Sequence, residues 1–187
     1  MEPLIIPLVV VAVFMLVPLV WLIATYNRFV HLRQHLGESW SDIDVELKRR
    51  YDLIPNLVET VKGYASHERE TLELVVRLRN QAAGNTGAAE SQARDESTLM
   101  RGVGRLFALA EGYPDLKANR NFLELQTELS LTEDRIAASR RFYNANVREL
   151  NQLCAAFPTN IVARLFKIQP STFFQLDSDA ERVVPRV

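Results

Sequence analysis

The longest helical pattern in this chain runs from Ala118 to Phe157 and reads ANRNFLELQTELSLTEDRIAASRRFYNANVRELNQLCAAF. Along it, a large apolar or aromatic residue stands at every seventh position without a miss: Phe122, Leu129, Ile136, Tyr143, Leu150 and Phe157. A seven-residue repeat places these side chains on one face of an α-helix. Pro158 then ends the pattern. We predict a long amphipathic helix whose apolar face lies against a core.

A second heptad pattern precedes this helix. One heptad position holds Trp40, Leu47, Ile54, Val61 and Val75, and another holds Leu36, Ile43, Leu57 and Tyr64. Pro55 lies within this segment and cannot donate a hydrogen bond to the carbonyl of Tyr51, so we expect a kink or a break there. No alternating strand pattern of useful length occurs. The body is therefore predicted to be all-α, most simply an antiparallel bundle of long amphipathic helices.

The connecting segments follow from composition. The stretch from Gly84 to Asp95, GNTGAAESQARD, is small, polar and without apolar period, which predicts a mobile loop. Short helices are expected over Glu96–Glu111 and Asn160–Phe166. The chain from Gln169 onward has two prolines and no periodicity, and we expect an irregular tail.

An apolar run precedes the body. Residues Leu4 to Thr25 number 22, of which 19 are apolar and none is charged. As a helix they would reach about 33 Å, close to the ~30 Å hydrocarbon core of a bilayer. A cleaved signal peptide fits less well, because the chain begins Met1-Glu2 and no small-residue cleavage site follows. We predict a transmembrane anchor over residues 1–25, a helical domain over 26–168 and an irregular tail over 169–187.

The orientation of this anchor depends on few charges. Arg28 and Arg33 follow the run, and Glu2 is the only charged residue before it. Basic residues are retained in the cytoplasm, which predicts an outside N-terminus and a cytoplasmic body. The single cysteine, Cys154, excludes an internal disulfide and suits a reducing compartment.

Charge and motif content exclude several functions. Beyond the anchor the chain holds 22 basic and 22 acidic residues, whereas a nucleic-acid binder shows a basic excess. His67-Glu68 begins like the zinc motif HExxH, but Thr71 occupies the position of the second histidine. We expect no nucleic-acid partner, no metal, no cofactor and no catalytic residues.

One polar cluster surrounds Pro55. It comprises the run Lys48-Arg49-Arg50-Tyr51-Asp52 together with Asn56, and the candidate partner contacts within it are Arg49, Arg50, Asp52 and Asn56. A proline beside charged residues exposes backbone carbonyls to a partner, and a solvated helix face is the simpler alternative. Phe173 and Phe174 in the tail are a second candidate contact with a partner, unless they pack back on the bundle.

A polar seam is predicted on the long helix. Gln126, Glu133 and Arg140 share one heptad position, where buried polar residues can form a layer that sets helix register. A structural layer is a simpler interpretation than an active site. Three asparagines are interpreted as surface or seam residues of the same kind: Asn144, Asn146 and Asn151.

Long segments of the chain resemble the LemA family. They are WSDIDVELKRRYDLIPNLVETVKGYASHERETLE (Trp40–Glu73), YPDLKANRNFLELQTELSLTEDRIAASRRFYNANVRELN (Tyr113–Asn151) and FPTNIVA (Phe157–Ala163). The resemblance extends over essentially the whole chain, anchor included. It implies a bacterial inner-membrane protein with an N-terminal helix, a short outside N-terminus and a helical-bundle body. It supplies no reaction and no catalytic residue.

Several functional hypotheses remain. The leading one is a membrane-anchored scaffold or adaptor that acts through protein contacts. The family resemblance adds, by association, an accessory or regulator of a membrane protease. A ligand-sensing bundle is a further alternative. An enzyme built on Glu133, Arg140 and Arg50 is disfavoured, because catalytic bundles use inward Glu-xx-His sets that this sequence lacks. Helix seams that one chain cannot cover also predict homo-oligomers.

Overall fold

The computed structural model describes residues 2–176, without the side chains of residues 2–8 and 11. Helices make up most of this range: α1 (Glu2–Lys62), α2 (Arg69–Gly84), α3 (Ala89–Ala110), α4 (Pro114–Lys117), α5 (Arg120–Ala155) and α6 (Thr159–Leu165). No strand occurs in residues 2–176, which confirms the all-α helical-bundle prediction. The described chain divides into two compact units, residues 2–38 with 145–171, and residues 39–144 with 172–176.

The first unit contains the predicted anchor. From Val9 to Ala24 nearly every described side chain of α1 is exposed, although the segment is strongly apolar. Burial begins at Thr25 and continues at Phe29, Leu32 and Leu36. This spacing of four, three and four residues is the stripe of a helix packed on one side. Within the described range, α1 is the one helix long and apolar enough to cross a membrane.

The heptad pattern of the long helix is confirmed in α5. The side chains of Phe122, Leu129, Ile136, Tyr143 and Leu150 are all buried. Phe157, the last member of the repeat, is exposed instead, because α5 ends at Ala155 and the helical spacing ends with it.

The expected break at Pro55 is absent, since α1 runs through this residue to Lys62. The carbonyl of Tyr51 receives no hydrogen bond from Pro55, because proline has no N–H. It accepts a hydrogen bond from Nε of Arg79 on α2 instead, at 2.9 Å. A side chain from the next helix thus replaces the missing backbone donor. The helix instead ends before Gly63, a residue that is unfavourable in helix interiors.

The predicted mobile loop over Gly84–Asp95 is wrong for most of its length, because α3 begins at Ala89. The short connection is closed by the side-chain amide of Asn85, which donates to Oγ of Ser91 at 2.8 Å and to Oδ2 of Asp95 at 2.6 Å. Alanines and hydrogen-bonded polar groups form the buried face of the first turns of α3. Such a face produces no hydrophobic periodicity in the sequence, so the helix was not predicted there.

Residues 172–176 of the tail belong to the second unit and pack within it. Phe174 is fully buried, and its ring meets that of Trp40 edge-on at 5.6 Å between centroids. Asn144 donates through Nδ2 to the carbonyl of Phe174 and accepts through Oδ1 from its amide, both at 2.9 Å. One asparagine therefore satisfies both backbone groups of a residue that lies outside any helix.

The same arrangement occurs within the first unit. Asn151 donates to the carbonyl of Ser171 and accepts from its amide, both at 2.9 Å. Asn144 and Asn151, interpreted from sequence as surface or seam residues, thus bind the backbone of the non-helical tail. The irregular character expected from Gln169 is found up to Leu176, and the remaining predicted tail lies outside the described residues.

Replacing Phe174 with serine tests this packing. We expect the free energy of unfolding to fall by about 2 kcal/mol, the value of burying one phenylalanine side chain. Phe173→Ser is the matched control, because the ring of Phe173 is next in the chain and is only half-buried. Denaturant unfolding of the full chain in detergent, followed by circular dichroism, measures both variants. Equal losses would contradict a specific role for Phe174.

Candidate functional site: a buried ion network

Arg50 of α1 is the centre of a buried ion network in the second unit, and its side chain is 0% exposed. Its Nη1 donates to both carboxylate oxygens of Glu133 on α5, at 2.8 and 2.9 Å. Its Nη2 donates to Glu96 on α3. Planar guanidinium groups suit such forked contacts with carboxylates. One side chain therefore joins three helices.

Glu96 is the second residue of the network with several partners. Besides Arg50, its carboxylate accepts hydrogen bonds from the hydroxyl of Tyr51 and from Nε2 of Gln92, the latter at 2.7 Å. Nε2 of Gln92 also lies 3.0 Å from the Tyr51 oxygen and 3.1 Å from the carbonyl of Ala82 on α2. The network thus reaches a fourth helix, and the buried carboxylate is compensated by three donors.

The protonation states follow from this geometry. Burial lowers the pKa of Arg50, but the charges of Glu133 and Glu96 outweigh it, and the pKa lies above its ordinary value. Burial, and then the charge of Glu96, raise the pKa of Tyr51 above its ordinary value. At neutral pH Arg50 is therefore charged and Tyr51 is a hydrogen-bond donor.

A further cation borders the network. The guanidinium of Arg79 lies 5.9 Å from the centre of the Tyr51 ring, while its Nε donates to the Tyr51 carbonyl. Its Nη2 is 3.9 Å from the exposed carboxylate of Asp52. Tyr51 is thus held at its hydroxyl, ring and backbone. The residue connects α1 to α2 and α3.

The structure separates the predicted cluster around Pro55. Arg50 is enclosed by its own chain, whereas Arg49, Asp52 and Asn56 are exposed. Arg49 lies 3.7 Å from Glu46, one turn earlier. The exposed members remain available to a partner. Phe174 is enclosed, and Phe173 is half-buried.

The predicted polar seam on α5 contributes Glu133 to the network. Gln126 and Arg140 are half-buried. The buried layer thus extends across helices rather than along one of them. Sequence reasoning placed Tyr51 in the cluster with Arg50 but missed Gln92 and Glu96. The available signals were Arg50 at an apolar heptad position and the i,i+4 spacing of Gln92 and Glu96.

Two of the cavities in the second unit border helices that the network connects. The larger, about 620 Å³, is a groove between the last turns of α1 and helix α2. A smaller pocket of about 250 Å³ is bordered by Trp40, Asp44, Asn85 and Gln92, and so reaches the ion network. In the described part of the chain, no group of three or more His, Cys, Asp and Glu side chains is placed to hold a metal ion.

These features define a class of protein: an all-helical bundle with an ion-paired interior, preceded by a candidate membrane-spanning helix. Residues 39–187 match the sequence profile of the LemA family, so the chain belongs to this family. This confirms the resemblance, although the matched segment begins after the apolar run.

Curated proteins of similar sequence include one that carries the name of the family. Protein LemA of Metamycoplasma hominis is 30% identical over 157 residues, which cover 84% of this chain and 71% of the relative. Magnetosome protein MamQ 2 of Paramagnetospirillum magneticum is 24% identical over 179 residues, covering 82% and 66%. MamQ of Magnetospirillum gryphiswaldense is 24% identical over 178 residues, covering 82% and 65%. The chain thus spans just under two thirds of both magnetosome relatives.

Proposed function

We propose that this protein is a membrane-anchored, non-enzymatic adaptor that binds an amphipathic helix of another membrane protein. The observation that carries the proposal is the groove of about 620 Å³ between the end of α1 and α2. Grooves between helices are a recurrent site for helical ligands, which insert an apolar stripe between them.

The lining of the groove suits such a ligand. Its apolar residues are Val58, Leu72 and Val76, and the side chain of Val76 is 39% exposed. The charged residues around them are of both signs: Glu59, Lys62, Arg69, Glu73 and Arg77. An apolar floor supplies contact area, while a mixed rim selects the register and direction of a partner of complementary charge pattern.

The ion network supports this function by holding the groove in one shape. Tyr51 precedes the α1 segment of the groove, and its carbonyl is bonded to Arg79 within α2. The amide of Gln92 adds a bond to Ala82 near the end of α2. A preformed groove avoids the entropic cost of ordering two helices on binding.

The proposed anchor would tether the groove to a membrane. Partners embedded in the same membrane would then meet it at high effective concentration. Exposed apolar residues of α5, Leu131 and Phe142, are candidate contacts between neighbouring copies in a homo-oligomer. The proposed location is the bacterial inner membrane.

A photo-crosslinking residue at Val76 tests the groove. We expect discrete adducts in intact membranes, and the attached peptide should show apolar residues at helical spacing. Val45 is the matched control, because it is an exposed valine of α1 outside the groove. Adding Leu72→Asp should abolish the adduct formed at Val76. Equal adducts from positions 76 and 45 would contradict the proposed groove.

The orientation is a separate proposal, supported by Arg28 and Arg33 after the apolar run. Single cysteines at Glu2 and Gly84, in a Cys154→Ser background, test it in intact cells. Gly84 is suitable because an added Cβ would meet no atom within 4 Å. We expect an impermeant thiol reagent to label position 2 and not position 84. The opposite labelling would place the bundle outside the cytoplasm.

A ligand sensor is the second candidate function. It is favoured by the pocket of about 250 Å³, where Trp40 and Asp44 lie beside Gln92. A ligand there would reach Glu96 through one hydrogen-bonded amide. This function predicts that ligand addition changes the fluorescence of Trp40 in a Trp21→Phe background, whether or not the groove is altered.

A further inference from the structure

The short helix α6 is apolar on its exposed side as well as on its buried side. Val162 and Ala163 are buried, whereas Ile161 and Leu165, one turn apart, are exposed. A helix that buries one face normally presents polar residues on the other. The exposed face of α6 is therefore unsuited to water.

The phenylalanines that flank α6 extend this apolar surface. Phe157 and Phe166, together with Ile161 and Leu165, are between 44 and 82% exposed. Single exposed apolar residues are ordinary, but four large ones within ten residues mark a site of interaction.

The position of α6 identifies what covers this surface. The ring of Phe166 lies 4.5 Å from that of Tyr26, measured between centroids, within the first unit. Tyr26 directly follows the apolar run, and protein burial of α1 begins at Thr25. The α6 surface thus lies where the uncovered part of α1 ends. Aromatic residues concentrate at this level of membrane proteins, where hydrocarbon meets headgroups.

The charge of the segment around α6 also favours a membrane surface as the occupant. Residues 156–171 include two basic side chains, Arg164 and Lys167, both exposed, and no acidic residue. Amphipathic segments with large apolar and basic residues lie in the interface of membranes that contain anionic lipid.

We propose that Phe157, Ile161, Leu165 and Phe166 form a lipid-docking surface in the interface of the membrane that α1 crosses. Arg164 and Lys167 lie at the level of the lipid phosphates. The surface gives the protein a second attachment beside its anchor and restrains the first unit at the bilayer. The inference rests on the proposed membrane anchorage and is independent of the helix-binding groove.

Depth-dependent quenching in vesicles tests this surface. The full chain carries one cysteine, labelled with an environment-sensitive fluorophore, in a Cys154→Ser background. Vesicles contain phosphatidylcholine and phosphatidylglycerol, with a nitroxide near the top of the acyl chains. A label at Ile161 should be quenched several-fold more than one at Leu131, an exposed leucine of the second unit. Equal quenching at the two positions would overturn the proposal.

Two further measurements distinguish the causes of failure. A label at Val13, measured in vesicles whose nitroxide lies deep in the acyl chains, reports the span itself. Quenching at Val13 with none at Ile161 would refute the docking surface but not the membrane anchor. The absence of quenching at Val13 would refute both. Disulfide-linked dimers through an unlabelled Ile161→Cys, without lipid quenching of the labelled form, would assign the face to a second copy and overturn the proposal.

Discussion

Replacing Arg50 with methionine is expected to lower the free energy of unfolding by roughly 3–5 kcal/mol. The substitution removes a fully buried guanidinium and leaves Glu96 and Glu133 without their shared cation. Glu96 is itself completely buried, so its charge cannot be hydrated without opening the structure. The loss of stability reports the free-energy cost of leaving a buried charge uncompensated. It does not report the net contribution of the ion pairs to stability.

Denaturant unfolding of the full chain in detergent, followed by circular dichroism, measures this loss. Arg49→Met is the matched control, since the adjacent arginine is exposed, and its effect should stay within about 0.5 kcal/mol. Adding Glu96→Gln and Glu133→Gln to Arg50→Met should recover most of the stability, because neutral amides still accept hydrogen bonds. A loss for Arg50→Met no larger than the control would refute a central role for the network.

The network also connects stability to the proposed groove. If Arg50 keeps α1 in register with α3 and α5, then Arg50→Met should weaken crosslinking at Val76 even where the protein remains folded. Unchanged crosslinking in the folded variant would show that the groove keeps its shape without the ion pairs.

Leu129→Ala is expected to cost roughly 2–5 kcal/mol, because it removes a buried side chain and leaves a cavity that the surrounding helices only partly fill. Leu131→Ala on the same helix is the control. This leucine is exposed, so its replacement should change stability by less than about 0.5 kcal/mol. The same unfolding measurement compares them. Similar losses for the two variants would contradict the assigned inner face of α5.

Sequence periodicity was sufficient to identify the helices that bury an apolar stripe. Leu129 and Ile136 were placed correctly because a seven-residue repeat is a local property of the helix and needs no knowledge of neighbours. The apolar run before Tyr26 was equally clear, since length and lack of charge are themselves the criterion for a candidate span.

The first turns of α3 show where that reasoning ends. Ala89, Ala93 and Gln92 are buried, but neither small residues nor amides produce a hydrophobic period. The buried amide of Gln92 finds its hydrogen-bond partners in the carbonyl of Ala82 and the carboxylate of Glu96. Pro55 is the converse case. Its local effect is to remove a backbone donor, and Arg79 of another helix supplies a donor to the same carbonyl.

The sequence by itself determined the helical class, the apolar faces of α1 and α5, the candidate span and the family. Only the tertiary structure decided that Arg50 lies inside, that Glu96 and Glu133 face it from two other helices, and that Asn144 holds the tail. The physical reason is that helix periodicity arises within one segment. The partner of a buried charge or amide comes from another segment, and here Arg50 and Glu133 are 83 residues apart.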